Sequence, residues 1–245
     1  METSIPMKRV IFHILSVDED EKDKLNLKDN LLEMGFDMGE VGRNVGYQET
    51  LDIIYTRIFP HRTQSVFQKS INLDFERTKV IYDYSKYDIF IMIIDSYSGG
   101  HPCRILTGEK NMRLTLGINS DLLWKPLNDE HLYNIPKIFL FNAANFPNSF
   151  INPFNVIPPK LYFELPTKYM KNTFVGFVVS DPDKKDKTSV FFETIFETLQ
   201  KNIHKSFQEI FNIVKKELDG QLHIDSINDC EEIPIYFCKD TCDKT

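Results

Sequence analysis

The residues of this chain best equipped for chemistry are its four cysteines and six histidines. The tightest pairing is His101-Pro-Cys103, which holds the two residue types of a cysteine hydrolase. There a thiolate attacks a carbonyl while an imidazole takes and returns the proton. The single proline between them fixes their spacing, however, so one cannot easily activate the other. An incidental loop cysteine is the preferred reading. Cys238 and Cys242, with Cys230 upstream, form a CxxxC pair without the second pair that a zinc site requires; they read as thiols near a terminal strand. His13 lies in an apolar run and reads as a core or edge histidine. His204 and His223 flank a late helix and read as end-of-helix or solvent-facing residues. Ser98 and Ser149 have no base nearby in sequence to activate them. Gly99-Gly100 reads as a turn, because neither Gly-Lys-Thr nor Gly-x-Gly-x-x-Gly accompanies it. No metal and no cofactor is expected.

The elements that would position these residues are better defined. Arg9 to Leu15 is a β-branched apolar run and reads as a first strand, starting so early that no prodomain is expected. Leu25, Leu27, Leu31, Leu32 and Met34 suit one buried helix face, with Gly35 as its stop. Phe36 to Val45 reads as a second strand and Glu49 to Ile58 as a helix. Tyr87 to Ile94 is the strongest strand, apolar throughout its second half, as in a strand covered by helices on both faces. It ends at Asp95-Ser-Tyr-Ser-Gly-Gly100. A helical stretch around Ile118 to Leu123 precedes Pro136 to Phe141, a second central strand that runs into Asn142-Ala-Ala-Asn145. Thr173 to Val179 is a third. Two helices follow: one carries Val190, Phe191, Ile195, Phe196 and Leu199. The other opens on the capping box Ser206-x-x-Glu209, carries Phe207, Ile210, Phe211, Val214 and Leu218, and stops at Gly220. Ile233 to Cys238 reads as a closing strand. Alternating strands and helices predict a mostly parallel sheet, whose ligands sit beyond the carboxyl ends of its strands. The segments after Ile94, Phe141 and Val179 are thus where a site belongs.

Composition narrows the function classes. The chain is 42% hydrophobic with 20 Phe and a net charge of -7. An acidic chain is repelled by phosphate backbones, so no nucleic-acid partner is expected. No apolar stretch reaches the roughly 18 residues of a membrane helix, and the N-terminus lacks the apolar run of a signal peptide. A soluble, cytoplasmic protein is expected, and the few, uneven cysteines agree.

The order of these segments resembles the caspase family. Asp88 to Ser96 is similar to the strand that leads into the family's Ser-His-Gly, and Pro136-Lys-Ile-Phe-Leu-Phe141 to the strand that leads into its Gln-Ala-Cys-x-Gly. Arg104-Ile-Leu and the Leu-Leu-Trp stretch fill the space between. Asp29 to Phe36, followed by Asn44, resembles its first helix and second strand, and Glu232-Ile-Pro234 the start of its last strand. The resemblance spans Lys8 to Cys238. It implies a three-layer α/β sandwich, with a central, mostly parallel six-stranded sheet and helices on both faces. It also implies one domain over 1–245. Residues 8–145 resemble the large subunit, 171–242 the small subunit, and 146–170 an uncleaved connection, since no aspartate lies between His131 and Ser180.

The departures bear on function. Tyr97 stands where the catalytic histidine belongs and Ala144 where the nucleophilic cysteine belongs. Asn142 replaces the glutamine that helps bind the substrate aspartate. Neither Ser16 to Lys24 nor Ser180 to Lys187 offers the arginine fork that holds that aspartate. The resemblance therefore implies a catalytically inactive homologue that regulates apoptosis by binding a caspase or its adaptor. Its role would be that of a decoy inhibitor or, alternatively, a heterodimerising activator, of viral or host origin. The family pairs through its last strand, read here as Ile233, Pro234, Ile235, Tyr236, Phe237 and Cys238, in a homodimer or heterodimer. A hydrolase with a relocated nucleophile such as Cys103, and an unrelated α/β binding module, remain as other readings.

Overall fold

A parallel sheet buried on both faces has to be built from runs that are apolar at every position, and three such runs form its centre. The computed structural model describes residues 7–16, 21–42, 53–58, 82–98, 105–107, 116–118, 132, 134–145, 172–180, 188–228 and 234–239. Strand β1 (Val10–Ser16) pairs in parallel with β2 (Asp37–Gly42) on one side and with β3 (Ile89–Ser98) on the other. Two short strands follow β3 in sequence, β4 (Ile105–Thr107) and β5 (Leu116–Ile118). Strand β3 pairs in parallel with β6 (Lys137–Asn145), and β6 with β7 (Thr173–Ser180). Strand β8 (His223–Asn228) then adds antiparallel to β7, giving the order β2-β1-β3-β6-β7-β8. β4 and β5 form an antiparallel hairpin that joins β3 at one position.

Strand alternation divides the buried residues between two faces. Ile89, Ile91 and Ile93 join Val10, Phe12, Ile14, Ile138, Leu140, Phe174 and Val178 beneath three helices. These are α1 (Glu21–Glu33), α2 (Thr188–Lys201) and α3 (Phe207–Glu217), with α1 packed on α2 and α2 on α3. Phe90, Met92, Ile94, Phe139, Phe141 and Val175 are buried on the other face. Ile53, Ile54 and Ile58, in a single π-helical turn, are buried outside the helical cluster.

Local signals set the helix ends. α1 stops at Gly35 (φ 78°), where Gly35 N donates to Leu32 O and Phe36 N to Leu31 O. That pair of bonds is a Schellman cap, which places its glycine in the left-handed region. α3 opens on the expected box: Ser206 Oγ accepts from Glu209 N, and Glu209 Oε2 accepts from Ser206 N at 2.9 Å. Much of the phenylalanine is spent here. Phe174 meets Phe207 and Phe211 edge-on, and Phe211 meets Phe191.

Three expectations change. The closing strand read at 233–238 is not a strand of the sheet over its described part, 234–238: it makes one bridge, Cys238 with Met7. It is a docking segment. Ile235 O accepts from Phe207 N, Ile235 N donates to Gln208 Oε1, and Phe237 O accepts from Lys8 N. Phe237 is buried against Phe36 and Phe207. The apolar residues there fill the helical core rather than a ladder; Ile233 lies outside the described residues. The edge strand is β8, so His223, read as flanking a helix, opens a strand instead. Ile118, read as helical, closes β5.

Candidate functional site

The parallel register carries the segments after β3, β6 and β7 to the same end of the sheet. Reading across it, Ser16, Asp95, Asn142 and Val178 are successive partners. Two residues further along, Tyr97 pairs with Ala144 and Ala144 with Ser180. Neighbouring strands lie about 4.8 Å apart, so Tyr97 and Ala144, 47 positions apart in sequence (144 minus 97), are backbone neighbours. Leu106 of β4 pairs with Tyr97 from the side where β1 has ended. Asn142 is two residues below Ala144 on the same strand, and Ser98 pairs with Asn145. Residues 95–98 and 142–145 are thus brought together, which an unrelated module with separated loops would not do. Gly99, Gly100, His101, Cys103, Ser149, Cys230 and Cys242 lie outside the described residues.

What this row can do follows from its residue types. An alanine methyl has no lone pair with which to attack a carbonyl. A phenol of ordinary pKa near 10 is a poor base at neutral pH. Among the described residues no group of three metal-ligating side chains forms.

His13 is placed elsewhere. It pairs with Met92, five residues before Tyr97, which is roughly 16 Å along the strand at the usual rise. It is fully buried, and burial lowers its pKa to about 3. A backbone N–H can only donate, so Nδ1, which meets Glu40 N at 2.9 Å, is the acceptor. The proton of the neutral ring is then on Nε2, facing Tyr84 Oη at 3.3 Å, and the Tyr84 hydroxyl donates its own hydrogen bond to Ile58 O at 2.8 Å. Glu40 in turn accepts from Tyr82 Oη and pairs with Arg57 at 3.2 Å. Burial, then the Glu40 bond, push Tyr82 up, so it stays a neutral donor. Gly39 leaves room for the imidazole: a Cβ there would lie 2.3 Å from His13 Cε1. This network ties β1, β2, the 53–58 turn and the 82–87 segment together. Sequence reading left His13 as a core or edge histidine and missed its partners, which are 27 to 71 residues away. Lys137, also buried, donates to the carbonyls of Leu132 and Ile135 at the opposite end of β6.

The sheet order, the helical layer and the paired segments define a caspase-like α/β fold. Among solved structures the chain is similar to the Drosophila initiator caspase Dronc, with a TM-score of 0.58 and 11% identity over 96% of this chain and 88% of that one. It is also similar to pro-sf-caspase-1, with a TM-score of 0.51 and 13% identity over 86% of this chain and 76% of that one. By sequence it matches no protein-family model and no curated protein. No helix among the described residues is long and apolar enough to cross a membrane.

Proposed function

We propose that this chain is a caspase-like protein without proteolytic chemistry of its own, which regulates apoptosis by binding a caspase and inhibiting it as a decoy subunit. The observation that carries this reading is the register of Tyr97 with Ala144 at the carboxyl ends of β3 and β6. The positions that resemble those of the catalytic pair sit side by side on an ordered ladder, and together they offer neither a nucleophile nor a base of near-neutral pKa. The missing arginines in Ser16–Lys24 and Ser180–Lys187 support loss of aspartate binding as well. Binding is supported by β8: it ends the sheet path, and among the described residues no strand lies beyond it. An open strand edge is a template for pairing.

Expression in cells given an apoptotic stimulus, with co-precipitation and caspase activity measured together, is expected to recover a caspase or its adaptor and to lower caspase activity. Raised activity with the same capture would replace inhibition by activation through heterodimerisation. Capture of neither protein would overturn the reading.

A further inference from the structure

The outer edge of β8 carries an acidic residue at mid-strand: the sequence is His223-Ile-Asp-Ser-Ile-Asn228. Ile224 is buried in the helical core, which fixes the strand's parity. A partner strand that continues the sheet about a two-fold axis must place opposite residues on the same face. For two copies of β8 this requires the axis to pass through a residue. The two registers that keep most of the strand paired use positions 223–227, with the axis at Asp225, or 224–228, with the axis at Ser226. The first sets Asp225 opposite Asp225, with Cβ atoms about 5 Å apart. The second sets Asp225 opposite Ile227 and the two aspartates on the diagonal, about 7–8 Å apart. Both distances lie within the Debye length of about 8 Å at physiological ionic strength. Like charges so placed oppose pairing, and two chains of net charge -7 repel further.

We infer that the outer edge of β8 disfavours a second copy of this chain and selects a partner strand with a basic residue opposite Asp225. This rests on β8 being the pairing edge of the proposed function, and it specifies the chemistry of the partner. The selection is electrostatic, so added salt weakens it.

The test needs no caspase, which separates its failure from failure of that reading. Wild type, Asp225→Lys, and a 1:1 mixture of the two full-length chains are compared by sedimentation at matched concentration, with circular dichroism to confirm folding. The mixture is expected to associate at least tenfold more tightly than either chain alone, and 0.5 M salt to remove most of that difference. Asp225→Asn is expected to self-associate more tightly than wild type. Wild-type self-association as tight as that of the mixture, or no association in any sample, would overturn the inference. So would Asp225→Asn self-association no tighter than that of wild type.

Discussion

Lowering the pH from 7.5 to 4.5 is expected to remove about 3 kcal/mol of stability through His13 alone, at roughly 1.4 kcal/mol per pH unit between the two pKa values. The folded-state pKa of about 3 lies below the unfolded value of 6.5, so the unfolded chain binds the extra proton between them. The contribution is complete above about pH 6.5 and is lost as pH falls from there towards 3. The cause is burial without a carboxylate bonded to the ring. The backbone N–H of Glu40 occupies Nδ1, and the neutral Tyr84 hydroxyl faces Nε2. Urea denaturation of wild type and His13→Asn across this range checks it. The amide oxygen of the variant can accept from Glu40 N but does not titrate, so its pH dependence is expected to be flatter by roughly this amount. Parallel curves for the two proteins would show that His13 does not carry the effect.

Gly176→Ala is expected to destabilise the protein by about 3 kcal/mol, at the upper end for overpacking. A Cβ on Gly176 would lie 2.4 Å from Phe211 Cε2, 2.9 Å from its Cζ and 3.1 Å from Leu140 Cδ2. The Phe211 ring cannot swing away cheaply, because Phe174, Phe191 and Phe207 surround it. The clash therefore pushes on α3, which carries the contacts of Phe207 and Gln208 to Ile235 and leads directly into β8. Phe211→Leu added to Gly176→Ala is expected to recover part of the loss, measured as the denaturation midpoint. A single variant as stable as wild type would show that the helix adjusts freely.

The central strands were legible because burial on both faces demands apolar residues at every position, and few other elements look like Ile89 to Ile94. The helix ends were legible because a capping box and a left-handed glycine act within one turn. The two C-terminal segments, 223–228 and 234–238, are misread from sequence for one physical reason. Ile235, Tyr236 and Phe237 are the residue types of a strand, yet their hydrophobicity serves a core contact, and Pro234 contributes no N–H to a ladder. β8 contains His223, Asp225, Ser226 and Asn228, and its pairing with β7 rather than its own composition holds it in the sheet. The same limit applies to the polar network of His13, whose members come from four separated segments. At the site the residue types were read from sequence, while the register that seats Tyr97 beside Ala144 required both strands to be placed.

The central proposal is a caspase-like scaffold that binds without cutting. Its most direct test is the hydrolysis of a fluorogenic aspartyl peptide by an active caspase titrated with the purified full-length chain, with the chain alone as reference. No hydrolysis by the chain alone and a dose-dependent fall in the caspase rate are expected. Hydrolysis by the chain alone that disappears in Cys103→Ala, or a caspase rate unchanged at saturating excess, would contradict the proposal.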